Sequence, residues 1–493
     1  MKRLMMKRLV LWKNEKKRKP LLLKGVRQVG KTHLLKTFGN QHFTKYHYFN
    51  FEKQADLIPL FDKDLDPKRL LNELSFKSGE SITIGEDLVI FDEIQQAPKA
   101  LTSLKYFYEE CPKLHLCAAG SLLGLHLSPG SFPVGKVTFE TLRPMSFKEF
   151  LMAIDDKALP LLEKAIPETA HSHLLEMLKH YFIVGGLPES IATYKQYNQP
   201  FEAFSHVRKK QDDLLKAYYA DIAKHSGKVN AMHIDRVFHS VPTQASKNHD
   251  GSIARYKFKG VVPGVSHYDR LAGAIDWLEA TGLILKVPIA NSGQLPFKAY
   301  TKENFFKLLL FDVGILGCMN NLAPKAILDA DYGSYKGYFA ENYVAQELVC
   351  AGQETLISWQ EKKAEVEFLL EQDGRAIPVE VKSGNVTRAK SLAIFAEKYH
   401  PPLQFILYSG GLRLGKKGRK SRSECKADDK PGSIEPGEED NAAGGDEFFV
   451  KNFPKSDRLS ISSCEQKVKG SIHYYPLYLT FLTALRITSG SAG

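Results

Sequence analysis

Between Pro20 and about Phe150, short apolar runs alternate with segments of helical spacing. Leu21 to Lys24, Tyr46 to Phe51, Leu88 to Phe91 and Leu114 to Ala119 read as strands. Strands alternating with helices predict a parallel sheet covered by helices. From about Leu151 to Leu285 the periodicity turns helical, with Glu168 to Val184 and Phe201 to Lys224 the longest stretches. Tyr268 to Thr281 reads as a helix ended by Gly282, and Leu283 to Ile289 as a strand, an order that suits a winged helix. Beyond Gly337 a helix from Tyr338 to Cys350 precedes alternating strands, so a third, α/β unit is expected.

Length supports this division, because 493 residues at roughly 100 to 200 per domain imply two to four domains. A composition that is 43% hydrophobic and 25% charged excludes collagen-like and wholly disordered classes. The longest apolar stretches, such as Tyr475 to Leu485, fall short of the roughly 18 to 20 residues of a membrane span. No membrane contact is expected, and without an apolar run before a small-residue cleavage site the cytoplasm is the expected location. The six cysteines form no C-x-x-C pair, so neither a zinc ribbon nor a disulfide framework is supported.

Charge is unevenly placed. The net charge is +12, and Met1 to Lys19 carries nine Lys or Arg against one Glu. Such an arm suits contact with phosphates or, equally, a solvated amphipathic helix. Residues 413 to 430 hold eight basic and three acidic side chains, and 435 to 447 hold six acidic and no basic ones. The stretch 413–463 therefore reads as a disordered insertion, and the apolar Tyr474 to Leu485 beyond it returns to the third domain.

Candidate chemistry begins with Gly25, Val26, Arg27, Gln28, Val29, Gly30, Lys31 and Thr32, which satisfy G-x-x-x-x-G-K-[ST] between an expected strand and an expected helix. Glycines let successive N–H groups turn toward phosphate oxygens, and the following helix N-terminus adds partial positive charge. Lys31 is expected to reach the terminal phosphates of ATP, and Thr32 to ligate Mg²⁺. Leu88-Val89-Ile90-Phe91-Asp92-Glu93 supplies the complementary acids, with Asp92 on the metal's hydration shell and Glu93 polarising water for attack. Ser121 is a candidate γ-phosphate sensor or a turn residue. Arg143 is a candidate to act on a neighbouring subunit's nucleotide, or a structural Arg before Pro144.

Taken in order, PLLLKGVRQVGKT, LVIFDEIQ, CAAGSLLG, PMSFKEF, YFIVGGLPES, FFKLLLFDVGIL, FAENYVAQEL and IPVEVKS resemble a family of prokaryotic AAA-type ATPases. The C-terminal domain of unknown function in that family looks like the PD-(D/E)xK nuclease fold. The resemblance spans about residues 8 to 411 plus YYPLYL at 474 to 479. It implies an AAA-type P-loop ATPase domain over 1–150, a helical and winged-helix-like region over 151–330, and a restriction-endonuclease-like α/β domain over 331–412 and 464–486.

The C-terminal carboxylates can also be read without the family. Asp373-Gly374 is a two-residue hairpin turn between alternating strands, which places Glu367 across from Glu380 and Glu365 across from Lys382. Glu365 and Lys382 can pair, but Glu367 and Glu380 repel unless something positive lies between them. A divalent cation is the simplest remedy; otherwise the acids are hydrated on a solvent-facing strand. Glu380-Val381-Lys382 then matches the E-x-K half of the nuclease motif, with Lys382 near the attacked phosphate and Glu347 completing the ligand set from the first helix. Glu367 stands where the family pattern has Asp, and Pro378 points to an edge strand or a strand start. His171 and His173 face opposite sides of a helix and are poor co-ligands, and Trp277 with Leu278 reads as core.

These observations favour a Mg-ATP-binding ATPase coupled to a nuclease-like domain acting on DNA or RNA. The alternatives are a slow nucleotide-dependent switch that binds a protein partner without cutting, and DNA binding without cleavage. Self-association accords with the AAA-type resemblance.

Overall fold

The computed structural model describes residues 1–121, 135–162, 168–225, 228–245, 255–333, 335–384, 389–409 and 471–480. The segment 413–463, expected to be a disordered insertion, lies outside them.

The N-terminal sheet contains β1 (Leu21–Lys24), β2 (Tyr46–Asn50), β3 (Leu88–Asp92), β4 (His115–Ala119) and β5 (Thr138–Thr141). Its order is β2-β3-β4-β1-β5, and every neighbouring pair is parallel. Alternate side chains enter different cores. Leu21, Leu23, Leu88, Ile90, Cys117 and Ala119 pack on one side, and Leu22, Val89, Phe91, Leu116 and Ala118 on the other. Burial on both faces is why these strands are apolar at nearly every position. Strand β5 escaped the sequence reading because its side chains are only partly buried and mostly polar. It pairs with β1 alone, at the sheet edge.

The second sheet has seven strands in the order β12-β11-β10-β9-β8-β6-β7. They are β6 (Ile284–Ala290), β7 (Thr301–Leu310), β8 (Ile357–Glu361), β9 (Ala364–Gln372), β10 (Arg375–Lys382), β11 (Leu403–Tyr408) and β12 (Ser471–Pro476). The strand expected as a wing, β6, is an interior strand that pairs antiparallel with β7 and parallel with β8. The expected boundary at residue 330 therefore does not separate two sheets. The apolar residues of β6 explain the difference, because most of its positions are buried, whereas a wing exposes one face. The helices between the sheets include Glu168–Val184, Pro188–Lys195, Pro200–His225 and Lys228–Ala245. One hydrophobic cluster runs from Leu9 through these helices to Leu479, so the three expected units share a core.

The β9–β10 hairpin keeps the expected register from Arg375↔Gln372 to Val379↔Phe368. Asp373 and Gly374 both take positive φ, 51° and 73°, as a two-residue turn of this hand requires. Pro378 does not mark an edge, since β10 lies between β9 and β11. Hydrogen-bonded and non-bonded pairs alternate from the turn, which puts Pro378 at a non-bonded position toward β9. Pairing with β11 starts one residue later, at Val379, so the missing N–H breaks neither ladder.

Candidate functional site

The Gly25–Thr32 loop leaves the C-terminal end of β1 and enters the Lys31–His42 helix. Two of its residues need conformations that L side chains avoid. Gly25 has φ 150°, and a Cβ there would lie 2.3 Å from the Leu142 carbonyl oxygen. Gly30 has φ 97° at the helix N-cap. The three donors of the Lys31 ammonium reach Gly25 O at 2.8 Å, Val26 O at 3.0 Å and Ser121 Oγ at 3.1 Å. Burial pulls the Lys31 ammonium down to about 8, with Glu93 and Asp92 acting in the opposite sense.

Strand β4 separates β1 from β3, yet the tips of all three converge. Thr32 Oγ1 donates to Asp92 Oδ2 at 2.7 Å, and Tyr48 OH donates to the same oxygen at 2.8 Å. The Glu93 N–H donates to Asp92 Oδ1 at 3.0 Å. A hydroxyl and a carboxylate in contact are the oxygen donor set that suits Mg²⁺. Glu93 takes φ 51° and ψ 41°, turning the chain sharply after β3; its side chain caps no helix and accepts from Gln95 Nε2 at 2.5 Å. Burial first, and the charge of Asp92, raise the Glu93 carboxyl above the usual glutamate range. Lys31, Thr32, Asp92, Glu93 and Ser121 are thus brought together. Tyr48 was missed because an aromatic in an alternating strand carries no signal of its own.

Beside this group lies a cavity of about 160 Å³ lined by Gly25, Val26, Ser121, Arg143, Glu279 and Gly282 among others. Arg143 is half-buried in the lining of this cavity, and burial lowers its guanidinium from the ordinary range. The basic N-terminal arm is not wholly a solvated helix. Arg3 donates to Val29 O at 3.0 Å, to Arg143 O at 2.6 Å and to Glu149 Oε1 at 3.1 Å, pinning the arm to the glycine loop. Leu9 and Trp12 bury the following helix. Arg27 turns outward to pair with Asp221, while Tyr218 OH donates to Arg27 O at 3.2 Å.

The C-terminal residues converge only in part. Lys382 Nζ meets Glu380 Oε1 at 2.5 Å rather than pairing with Glu365, and Glu367 Oε2 accepts the Val381 N–H at 3.0 Å. Glu365 pairs instead with Lys307 of β7, which also holds Glu341 Oε1 at 2.8 Å. Burial, followed by the charge of Glu380, holds the Glu367 carboxyl well above its usual range. Among the described residues, no group of three or more His, Cys, Asp or Glu is arranged to hold a metal ion. The expected ligand trio of Glu347, Glu367 and Glu380 does not form.

The reason lies in helical geometry. Glu341 and Glu347 share the Tyr335–Cys350 helix but are six positions apart, about 120° around its axis. Glu341 faces the hairpin, and Glu347 faces the N-terminal unit, where its Oε1 accepts the Phe147 N–H at 2.8 Å. Glu347 thereby serves the first turn of the Phe147–Ile154 helix, whose N–H groups lack intrahelical partners. Lys307 had one visible signal: a lysine inside the apolar run Phe305 to Leu310.

Burial raises the Glu347 carboxyl from 4.5 to about 8. The folded chain then keeps a proton that the unfolded chain releases above about 4.5. Its contribution is fully present below that pH and is lost as pH rises to about 8. Glu347→Gln, which cannot titrate, is expected to flatten the decline of melting temperature across this window. Parallel curves for wild type and variant would remove Glu347 as its cause.

Residues 17–151 match a family model described as an AAA domain, which makes the N-terminal unit an AAA-type P-loop domain. Residues 175–326 and 336–425 match two further models, described as Domain of unknown function (DUF8612) and Domain of unknown function (DUF4143). No curated protein matches the chain. Among solved structures, the Walker-type ATPase PABY2304 of Pyrococcus abyssi is 16% identical, with 65% of this chain and 95% of that one covered at a TM-score of 0.42. The Thermotoga maritima RuvB Holliday junction branch migration motor is 15% identical, covering 58% and 89% at 0.29. The Aeropyrum pernix Orc1 protein in complex with DNA is 14% identical, covering 66% and 91% at 0.25. Likeness of this degree bears on neither activity nor partner. No described helix is long and apolar enough to cross a membrane.

Proposed function

We propose that this chain binds Mg-ATP at the Gly25–Thr32 loop, hydrolyses it, and uses the bound state to set the arrangement of its helical and C-terminal units. The single observation carrying the reading is the 2.7 Å contact between Thr32 Oγ1 and Asp92 Oδ2. It joins the end of the glycine loop to the acid that ends β3. Thr32 and Asp92 would hold Mg²⁺, which when bound offsets phosphate charge. The loop N–H groups and the Lys31 ammonium orient the triphosphate, Ser121 registers its end, and Glu93 takes the proton of the attacking water.

Coupling is supported by the chain of contacts behind the loop. A Cβ on Gly30 would come within 3.5 Å of Pro188 Cγ. Gly186, two residues before Pro188, donates its N–H to Asp312 Oδ2 at 2.6 Å. A shift of the loop therefore meets the helical unit directly.

Wild-type protein is expected to bind ATP saturably and with Mg²⁺ dependence in calorimetric titration. Lys31→Ala removes charged hydrogen bonds of about 1.5 to 3 kcal/mol, a weakening of roughly 10- to 100-fold. Unchanged affinity in the variant would end the proposal.

For the C-terminal unit, Glu367, Glu380 and Lys382 lying close together support a nuclease-like reading with DNA or RNA as substrate. One observation favours the switch without cutting: Glu380 is already paired with Lys382, and the neighbouring Glu365 and Glu341 with Lys307. We adopt the switch, with a protein partner or a second copy of the chain as what it captures.

A further inference from the structure

The cavity beside the glycine loop is where all three parts of the chain meet. Ser121 and Arg143 reach it from just beyond β4 and β5, Glu279 and Gly282 from the end of the Ala272–Ala280 helix, and Val349 from the Tyr335–Cys350 helix. Its volume of about 160 Å³ is close to the roughly 150 Å³ that holds a benzene ring in an engineered core cavity. A tetrahedral oxyanion fits, whereas a nucleotide needs a pocket on the order of several hundred Å³. The polar groups here are unspent. Among the described residues, the Arg143 guanidinium has neither a hydrogen bond nor a carboxylate within ion-pair distance. Burial lowers it from its ordinary range, and Cys350 and Glu354 offset this only in part. Five N–H donors without an acceptor call for an anion. Ser121 Oγ accepts from Lys31 at 3.1 Å, so its own proton is left to donate. Glu279 stands at the solvent-facing mouth, and among the described residues it pairs with no cation, since Lys286 pairs with Asp276 instead.

We infer that this cavity is a station for inorganic phosphate, held by the Arg143 guanidinium and the Ser121 hydroxyl and selected by the Glu279 carboxylate. A carboxylate repels an anion that has no proton to offer it and accepts a hydrogen bond from one that has. Hydrogen phosphate carries such a proton and sulfate does not, so Glu279 favours the first and rejects the second. Ser121 touches Lys31 and lines the cavity, which sets the station one side chain away from the end of a triphosphate on the loop. The inference deepens the proposed hydrolysis of ATP and rests on it only for the source of the phosphate. An anion held between Arg143 and Glu279 joins the end of β5 to the Ala272–Ala280 helix, so departure of the product is felt beyond the N-terminal unit.

The test is calorimetric titration of the full chain with inorganic phosphate and with sulfate, in the absence of nucleotide. Failure of ATP to bind would end the proposed function and leave these titrations unchanged. Partial burial raises the Glu279 carboxyl, so the titration is run at mildly alkaline pH, where that group is ionised. Wild type is expected to bind a single phosphate and to prefer it to sulfate by at least about tenfold. Arg143→Gln is expected to weaken phosphate by roughly 10- to 100-fold, and Arg143→Lys, which keeps the charge but not the fork, by less. Glu279→Gln, at an exposed position where packing is not at stake, is expected to bind both anions alike. Should Arg143→Gln fail to fold, the selectivity lost in Glu279→Gln decides alone. Lys31→Ala, which disables the glycine loop, is expected to bind phosphate as wild type does. Loss of phosphate in Lys31→Ala with none in Arg143→Gln would put the anion on the loop and overturn the inference. So would a wild type that binds no phosphate or binds both anions equally, or a Glu279→Gln variant that still discriminates.

Discussion

Glu93→Gln is expected to leave ATP affinity within about twofold and to lower turnover by roughly 10²- to 10⁴-fold, the range that a positioned general base supplies. The side chain sits at the sharp turn after β3, where φ of 51° aims it away from the strand and beside Lys31 and Asp92. Gln keeps the shape and can still hydrogen-bond Gln95, so folding is not at stake, but it cannot accept the proton of water. Single-turnover hydrolysis with saturating ATP isolates this step from binding and release. Because burial raises the Glu93 carboxyl, the base becomes protonated sooner as pH falls, and activity should fail at a higher pH than an ordinary glutamate would give. A variant hydrolysing at more than about a tenth of the wild-type rate would remove Glu93 from this role.

The largest stability effect is expected at Asp312, a fully buried residue far from the glycine loop in sequence. Its carboxylate accepts from Gly186 N at 2.6 Å and from Ile315 N at 3.0 Å, capping the Val313–Met319 helix. Neighbouring groups complete the hub. Gln346 Oε1 accepts the Val313 N–H at 3.0 Å, its amide donates to Tyr181 OH at 2.8 Å, and Tyr181 OH donates to Met145 O. Gln211 Nε2 closes the end of the Glu168–Val184 helix by bonding Ile183 O at 3.0 Å and Val184 O at 2.9 Å. Asp312→Ala strips two buried N–H groups of their acceptor at about 1 to 3 kcal/mol each, a total of roughly 2 to 6 kcal/mol. Denaturant melts monitored by circular dichroism would read this as a fall in midpoint at unchanged slope. A loss below about 1 kcal/mol would mean that water or a neighbour replaces the carboxylate.

Much of the N-terminal unit was legible because two features coincide there. Strands apolar at nearly every position leave few alternatives to a sheet covered on both sides, and the glycine loop fixes which strand comes first. Strand order was not legible: nothing local says that β4 slides between β1 and β3, although this is what brings Ser121 to Lys31. The hairpin register could be read because Asp373-Gly374 dictates a two-residue turn. What failed was the inference from register to partner. Side chains reach beyond their own ladder, so Glu365 found Lys307 on β7 instead of Lys382. The trio with Glu347 failed for a related reason: a helix carrying two glutamates serves two neighbours, and spacing alone does not say which one faces which. The supposed wing was a strand of the larger sheet because pairing of β6 with β8 joins residues far apart in the chain, a contact for which composition has no signature.

The last pairing in that sheet has a further implication. Strand β12 lies parallel to β11, and the two are joined by the whole stretch between Tyr408 and Ser471. The entropy of closing such a connection grows only with the logarithm of its length, about 0.6 kcal/mol for each doubling. The two strands stay in register from Leu403↔Ser471 to Tyr408↔Pro476. Evolution is consequently free to lengthen, trim or rewrite that connector at small thermodynamic expense, provided the closing strand survives.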